Sequence, residues 1–293
     1  MLRDCTNARG TPEACSRAGT RLHFLAMSSM SASFSSSFHL WRTLVRQDLA
    51  TRYRGSLLGR AWPVLLPLLM LAIYAFVFGA VFRARWPGLA DDDHLGFTLN
   101  LFAGLLVHAM LAESVGQAAG LLVRQSNFVR KVVFPLPVLV AVPLGSAAFH
   151  GAVGLLILFT VNAVWGNGIH TSALAVPLIL APYIVMLYGL CLILAALGVY
   201  VRDLVQITGA MITIALFTST VFFPRDMVPG ALVRVVDYNP ISWPVQAMRD
   251  AVLRGEWPVF TEAYGMYWMV AICILALGWF CFDRLRRGFA DVL

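Results

Sequence analysis

Two histidines and one carboxylate sit inside long apolar runs of this 293-residue chain: His108 and Glu113 in one run, His150 in the next. Ionisable groups in such surroundings are costly and persist where they face a bundle interior or a water-filled cavity. Glu113 therefore reads either as part of a transport path or as a structural hydrogen-bonding group. His108 lies five residues away, a spacing that does not stack two side chains on one helical face. His150 reads as a core histidine with its hydrogen bonds satisfied.

A second set of chemically able residues is the arginine group Arg42, Arg46, Arg52, Arg54 and Arg60. Of these, Arg52, Arg54 and Arg60 suit contact with anionic lipid headgroups. Other chemistry is excluded by what a motif requires. A P-loop needs Gly-Lys followed by Ser or Thr, and the one lysine, Lys131, stands between Arg130 and Val132. ATP hydrolysis is therefore not expected of this chain. The five cysteines form no C-x-x-C pair, and three lie in apolar runs, so neither a disulfide nor a metal site is expected. A lipid-carrier transferase or phosphatase would need a catalytic acid or base, and Glu113, Asp203 and Asp48 stand apart in the sequence. No catalytic residue is assigned.

The elements that must hold these residues are helices in a membrane. The chain is 59% hydrophobic and 13% charged, with mean hydropathy +0.76, the composition of a polytopic membrane protein. The net charge of +7 raises the question of nucleic acid, but the charges flank apolar runs and serve orientation in a bilayer instead. Six spans are expected at about 61–82, 97–123, 134–162, 174–200, 204–223 and 264–282, each near the length that crosses a core of about 30 Å. The expected fold class is an all-α polytopic membrane protein. Residues 1–38 read as a disordered cytosolic tail with a serine cluster, with Met27 or Met30 as alternative starts.

Positive charge sets the orientation. With both termini in the cytosol, Arg42, Arg46, Arg52, Arg54, Arg60, Arg124, Arg130, Lys131, Arg202, Arg284, Arg286 and Arg287 fall inside with Asp48, Asp203, Asp283 and Asp291. Outside, Arg83, Arg85, Arg225, Arg234, Arg249 and Arg254 meet Asp91, Asp92, Asp93, Asp226, Asp237, Asp250 and Glu256. The inverted arrangement fits poorly.

Three segments lie between or before spans. In Leu40–Arg60, Trp41, Val45, Leu49 and Tyr53 recur every four residues, backed by arginines, the pattern of an amphipathic helix lying in the interface. Arg124–Val133 is short and basic; a brief helix there either docks into a partner's groove with Phe128 as anchor or is a plain positive-inside anchor. Pro224–Glu262 is too polar to span and is broken by prolines, so two short helices separated by Asn239-Pro240 are expected, dipping back towards the membrane or capping the bundle.

The run from Asp48 to Pro63, Asp-Leu-Ala-Thr-Arg-Tyr-Arg-Gly-Ser-Leu-Leu-Gly-Arg-Ala-Trp-Pro, resembles the opening of the permease subunits of type-2 ABC exporters. It is similar in particular to those exporting lipid-linked polysaccharide: O-antigen, capsule and teichoic acid. Asn127–Pro135 and Tyr238-Asn239-Pro240 agree, and the resemblance covers roughly Leu40–Leu293. It implies a homodimer of this chain in the bacterial inner membrane, paired with two copies of a separate ATPase that binds ATP and Mg. This chain would bind no cofactor itself. By the same resemblance, Gln125, Ser126, Asn127, Phe128, Val129, Arg130 and Lys131 form the coupling helix. Trp41, Arg46, Arg52, Tyr53, Arg54 and Arg60 form the interface helix and substrate entrance, where Arg52, Arg54 and Arg60 would meet a carrier diphosphate. Pro224, Asp226, Tyr238, Asn239 and Pro240 form the extracytoplasmic gate. Phe76, Phe78, Glu113, Phe217, Phe222 and Phe223 are candidates to line the channel, the aromatic rings as stacking faces for sugars or as lipid-facing packing. A type-2 permease for a small amphiphile or drug is the alternative.

Overall fold

A computed structural model describes residues 37–82, 86, 93–130, 135–166, 168–258 and 261–292. The tail at 1–36, Arg83, Arg85, Asp91, Asp92 and Lys131 lie outside the described residues, as do the side chains of Arg60, Val129 and Arg130. The regular elements among the described residues are all helices, without strands.

The first helix, α1, covers residues 37–53. Gly55, at φ +81°, and Gly59, at φ +46°, turn the chain into α2 (Trp62–Tyr74), which continues as a wider π-helical stretch to Val81. Asp93 caps α3 (His94–Arg124) by accepting from the Gly96 amide at 2.7 Å. The short α4 (Ser126–Arg130) leads to α5 (Leu136–Trp165), α6 (Val176–Tyr200) and α7 (Leu204–Phe217). Two eight-residue helices follow, α8 (Gly230–Asp237) and α9 (Ser242–Arg249), then α10 (Glu262–Leu285) and α11 (Phe289–Val292).

α3 is the centre of the bundle. It packs on α5 and α6, and α10 lies along α6. Burial by apolar side chains alone cannot bring helices together in lipid, so close approach at small residues does it. A methyl at Gly198 of α6 would overlap the Ala119 carbonyl of α3, and one at Gly278 of α10 would overlap the Gly189 carbonyl of α6. The interior around these crossings is apolar, with Leu101, Leu122, Leu158, Met186 and Leu192 fully buried.

Among the described residues, five helical stretches are long and apolar enough to cross a bilayer: Trp62–Gly79, His94–Arg124, Leu136–Trp165, Thr171–Tyr200 and Glu262–Gly288. The span expected over 204–223 departs from this. α7 has 14 residues, about 21 Å at the helical rise and short of a core of about 30 Å. Thr218 ends it, and residues 218–223 run on without helix. The hydropathy of Val221–Phe223 extends the apolar run, but the Thr218-Ser219-Thr220 hydroxyls compete for backbone partners there.

Candidate functional site

α1 lies against α5 through its apolar stripe. Trp41 donates its indole N–H to the Ala141 carbonyl at 3.0 Å. Gly145 leaves room for it, since a methyl there would stand 2.6 Å from Val45 Cγ2 and 2.8 Å from Trp41 Cζ2. Further along, Ser146 donates to Asp48 at 2.7 Å, and Tyr53 Oη meets His150 Nε2 at 2.8 Å. The partners on α5 thus climb from residue 141 to 150, about 14 Å of helix axis. The helix is expected to lie in the interface; its apolar stripe packs along α5, where Gly145 leaves room for Trp41 and Val45. Arg42, Arg46 and Arg54 point away and are exposed.

Arg52, itself exposed, reaches across to α3 with its guanidinium. Its guanidinium donates to Asp48 Oδ2 at 3.0 Å from Nε, to Glu113 Oε1 at 2.5 Å and to Gln117 Oε1 at 3.0 Å. Glu113 in turn bonds His150 Nδ1 at 2.8 Å through Oε2. Asp48 and Glu113, remote in sequence, therefore meet on one arginine, and His150 is satisfied on both ring nitrogens. The network ties α1, α3 and α5 together, 11 residues or about 16 Å from the Arg124 end of α3. Desolvation by burial, with the Glu113 charge second, raises the Tyr53 hydroxyl above its ordinary pKa.

The same residues form one end of a cavity of about 600 Å³. Arg52, Tyr53, Glu113, His150 and His108 supply its polar groups; Leu66, Pro67 and Met70 of α2 and Phe102, Leu105 and Leu106 of α3 supply an apolar wall. His108 and Glu113 thus share a cavity despite their spacing, while His108 Nε2 takes the Ile212 carbonyl of α7 at 3.2 Å. A pocket with a broad apolar wall and a cluster of polar groups at one end suits an amphiphile.

At the other end of the bundle the segment after α7 folds as two short helices about Asn239-Pro240, as its prolines suggest. Asn239 donates to the Ala215 carbonyl at 2.9 Å and to Thr218 Oγ1 at 2.8 Å, and accepts from the Ile241 amide at 3.0 Å. Tyr267 donates to the Pro240 carbonyl at 2.9 Å. Pro224 is buried, whereas Asp226 and Tyr238 are exposed. Arg225 grips Asp237 with a bidentate fork at 2.6 and 2.7 Å, and those hydrogen bonds hold the Asp237 carboxyl below its usual range.

Sequence reading did not single out Arg249. Expected among the charges of the outer segment, it is fully buried. It donates to the carbonyls of Asn100 at 2.8 Å, Thr220 at 2.6 Å and Val221 at 2.7 Å, and lies 4.5 Å from the centre of the Trp86 ring. Non-helical backbone inside a membrane bundle needs such partners. The break at 218–223 was the signal that could have found it.

The remaining candidates divide. Gln125 closes α3, and Ser126 and Asn127 open α4, with Asn127 exposed. Phe128, expected as an anchor for a partner, is half-buried and packs against the chain's own core. Phe76 and Phe217 are exposed; Phe222 stacks on Phe217 at 5.5 Å, Phe78 packs 5.7 Å from Phe97, and Phe223 is half-buried. Among the described residues no cluster of three His, Cys, Asp or Glu side chains could hold a metal.

Residues 39–253 match the protein-family model described as "ABC-2 type transporter". The chain is 24% identical over 269 residues to the O-antigen export system permease protein RfbA of Klebsiella pneumoniae, covering 87% of this chain and 95% of that protein. It is 23% identical over 216 residues to the polysialic acid transport protein KpsM of Escherichia coli, covering 72% and 80%. A daunorubicin resistance ABC transporter permease of Streptomyces coeruleorubidus is 25% identical over 232 residues, covering 74% and 79%.

Proposed function

The chain belongs to the ABC-2 type transporter family, and we propose that it is the membrane permease of an ATP-driven exporter of lipid-linked polysaccharide. The observation that carries this reading is the cavity beneath α1, whose polar end and apolar wall suit a lipid bearing a polar head. The similarity to an O-antigen export permease over nearly that protein's whole length supports it.

On this reading a separate ATPase supplies the energy, two copies of each subunit assemble in the inner membrane, and both termini of this chain are cytosolic. The arginine excess on the side of α1 and α4 supports that orientation. Gln125–Lys131 couples the ATPase to the spans. Asn127 faces the partner and Phe128 seats the short helix on the bundle, so each ATPase movement reaches α3 directly. The exposed arginines Arg46 and Arg54, with Arg60, meet the phosphates of the carrier lipid. Its apolar chain stays in the surrounding lipid, and the glycan passes between the two permeases. α8 and α9 close the far side, and the exposed faces carrying Phe76 and Phe217 are covered by lipid or by the second copy.

A second reading is export of a small amphiphile, favoured by the pocket-sized cavity and the resemblance to a daunorubicin resistance permease. Co-purification separates the coupling claim from both. Asn127→Trp should cut the recovered ATPase at least tenfold while the permease remains folded. Full recovery of the ATPase with that variant would reject α4 as the docking element.

A further inference from the structure

We infer that the polar end of the α1 cavity binds the uncharged hydroxyls of a glycan and turns phosphate away; this rests on the export function proposed above. Arg52 is the cavity's arginine, and its donors are already given to Asp48, Glu113 and Gln117. The carboxylates of Asp48 and Glu113 share that one guanidinium. A phosphate arriving there meets like charge in a site partly shielded from water, where Coulomb terms are strong, and finds no free fork. A sugar hydroxyl both donates and accepts. It can donate to the Glu113 carboxylate and exchange hydrogen bonds with the Tyr53 hydroxyl. Tyr53, Tyr74 and Phe102 give the same cavity aromatic surfaces against which a sugar ring can pack. Arg46 and Arg54, by contrast, are exposed on the outer face of the chain beyond the cavity and have no ion pair among the described residues. The geometry thus separates the two halves of a lipid-linked glycan: charge outside α1, hydroxyls beneath it.

Photolabelling tests this with the full chain in phosphatidylcholine nanodiscs, without nucleotide. Two probes share one alkyl tail with a diazirine near the head; one head is a β-glucoside, the other a diphosphate. In the wild type the glucoside should label Met70 on the cavity wall, and the diphosphate should label α1 near Arg46 and Arg54. Glu113→Gln removes one of the two carboxylates. It should lower glucoside labelling of Met70 at least tenfold and admit the diphosphate to that position. A misfolded variant would lose both labels, and Asp48→Asn, which should also admit the diphosphate, then decides. Diphosphate labelling of Met70 in the wild type at or above the glucoside level overturns the inference. So does an unchanged pattern in Glu113→Gln, or loss of both labels in both variants. Because the labelling needs no transport, failed export with this pattern intact counts against the proposed function alone. Export with the pattern reversed counts against this inference alone.

Discussion

Replacing Arg249 with Met keeps the length and apolar stem of the side chain and removes its three hydrogen bonds. Of the carbonyls left behind, Asn100 sits within α3, but Thr220 and Val221 lie in the non-helical stretch after α7. Two orphaned buried carbonyls at about 1–3 kcal/mol each would cost about 2–6 kcal/mol. Relief from burying a guanidinium offsets part of that, as does the water that reaches a loosened segment. A net loss of about 3 kcal/mol would raise the open fraction of this segment roughly 100-fold, at about 1.4 kcal/mol per decade. Hydrogen exchange by mass spectrometry reads this directly. Amides of 218–254 should lose protection, while those in the middle of α5 and α6 keep theirs. Arg249→Lys, which retains the charge and one or two donors, should fall between. Unchanged exchange over 218–254 in Arg249→Met would refute the claim that this side chain holds the break closed.

Glycine positions supply sharper contrasts. Gly145→Ala should push α1 off α5, costing about 1–3 kcal/mol as an overpacked contact and exposing α1 to limited proteolysis. Gly209→Ala, on α7 with open space around it, should be neutral or stabilising by up to about 1 kcal/mol. Equal proteolysis of the two variants would contradict the docking described for α1. Gly198→Ala places a methyl on the Ala119 carbonyl, and folded yield in detergent should collapse, whereas wild-type yield would show that α3 and α6 can part cheaply. Acidification through the carboxylate range should release Arg225 from Asp237. The depressed Asp237 pKa means this tie is present at neutral pH and is lost as pH falls through the folded-state value. Exchange at α8 should therefore rise on acidification, and Asp237→Asn should remove that dependence.

Periodicity and hydropathy carried much of the architecture. The stripe of Trp41, Val45 and Tyr53 marks the face of α1 that meets α5, and Asn239-Pro240 marks the joint between α8 and α9. Local pattern could not show which span the stripe packs on, because that depends on the absence of a side chain at Gly145. Nor could it join Arg52 to Glu113 and His150, which lie 61 and 98 positions away in the chain and meet only when three helices pack. The burial of Arg249 was hidden for a related reason. A charge among prolines looks like a solvent residue until the carbonyls at Thr220 and Val221 are known to need it. The fifth span was drawn too long because an average over 204–223 hides three hydroxyl residues in a row.

The central claim is that this chain is a conduit moved by an ATPase it does not contain. The most direct measurement places the purified permease in proteoliposomes, with and without its ATPase, and follows ATP-dependent passage of a fluorescent lipid-linked oligosaccharide to the opposite leaflet. Passage only when both proteins and ATP are present is the expected result. Nucleotide turnover by the permease alone, or passage that proceeds at the same rate without the second protein, would contradict the account.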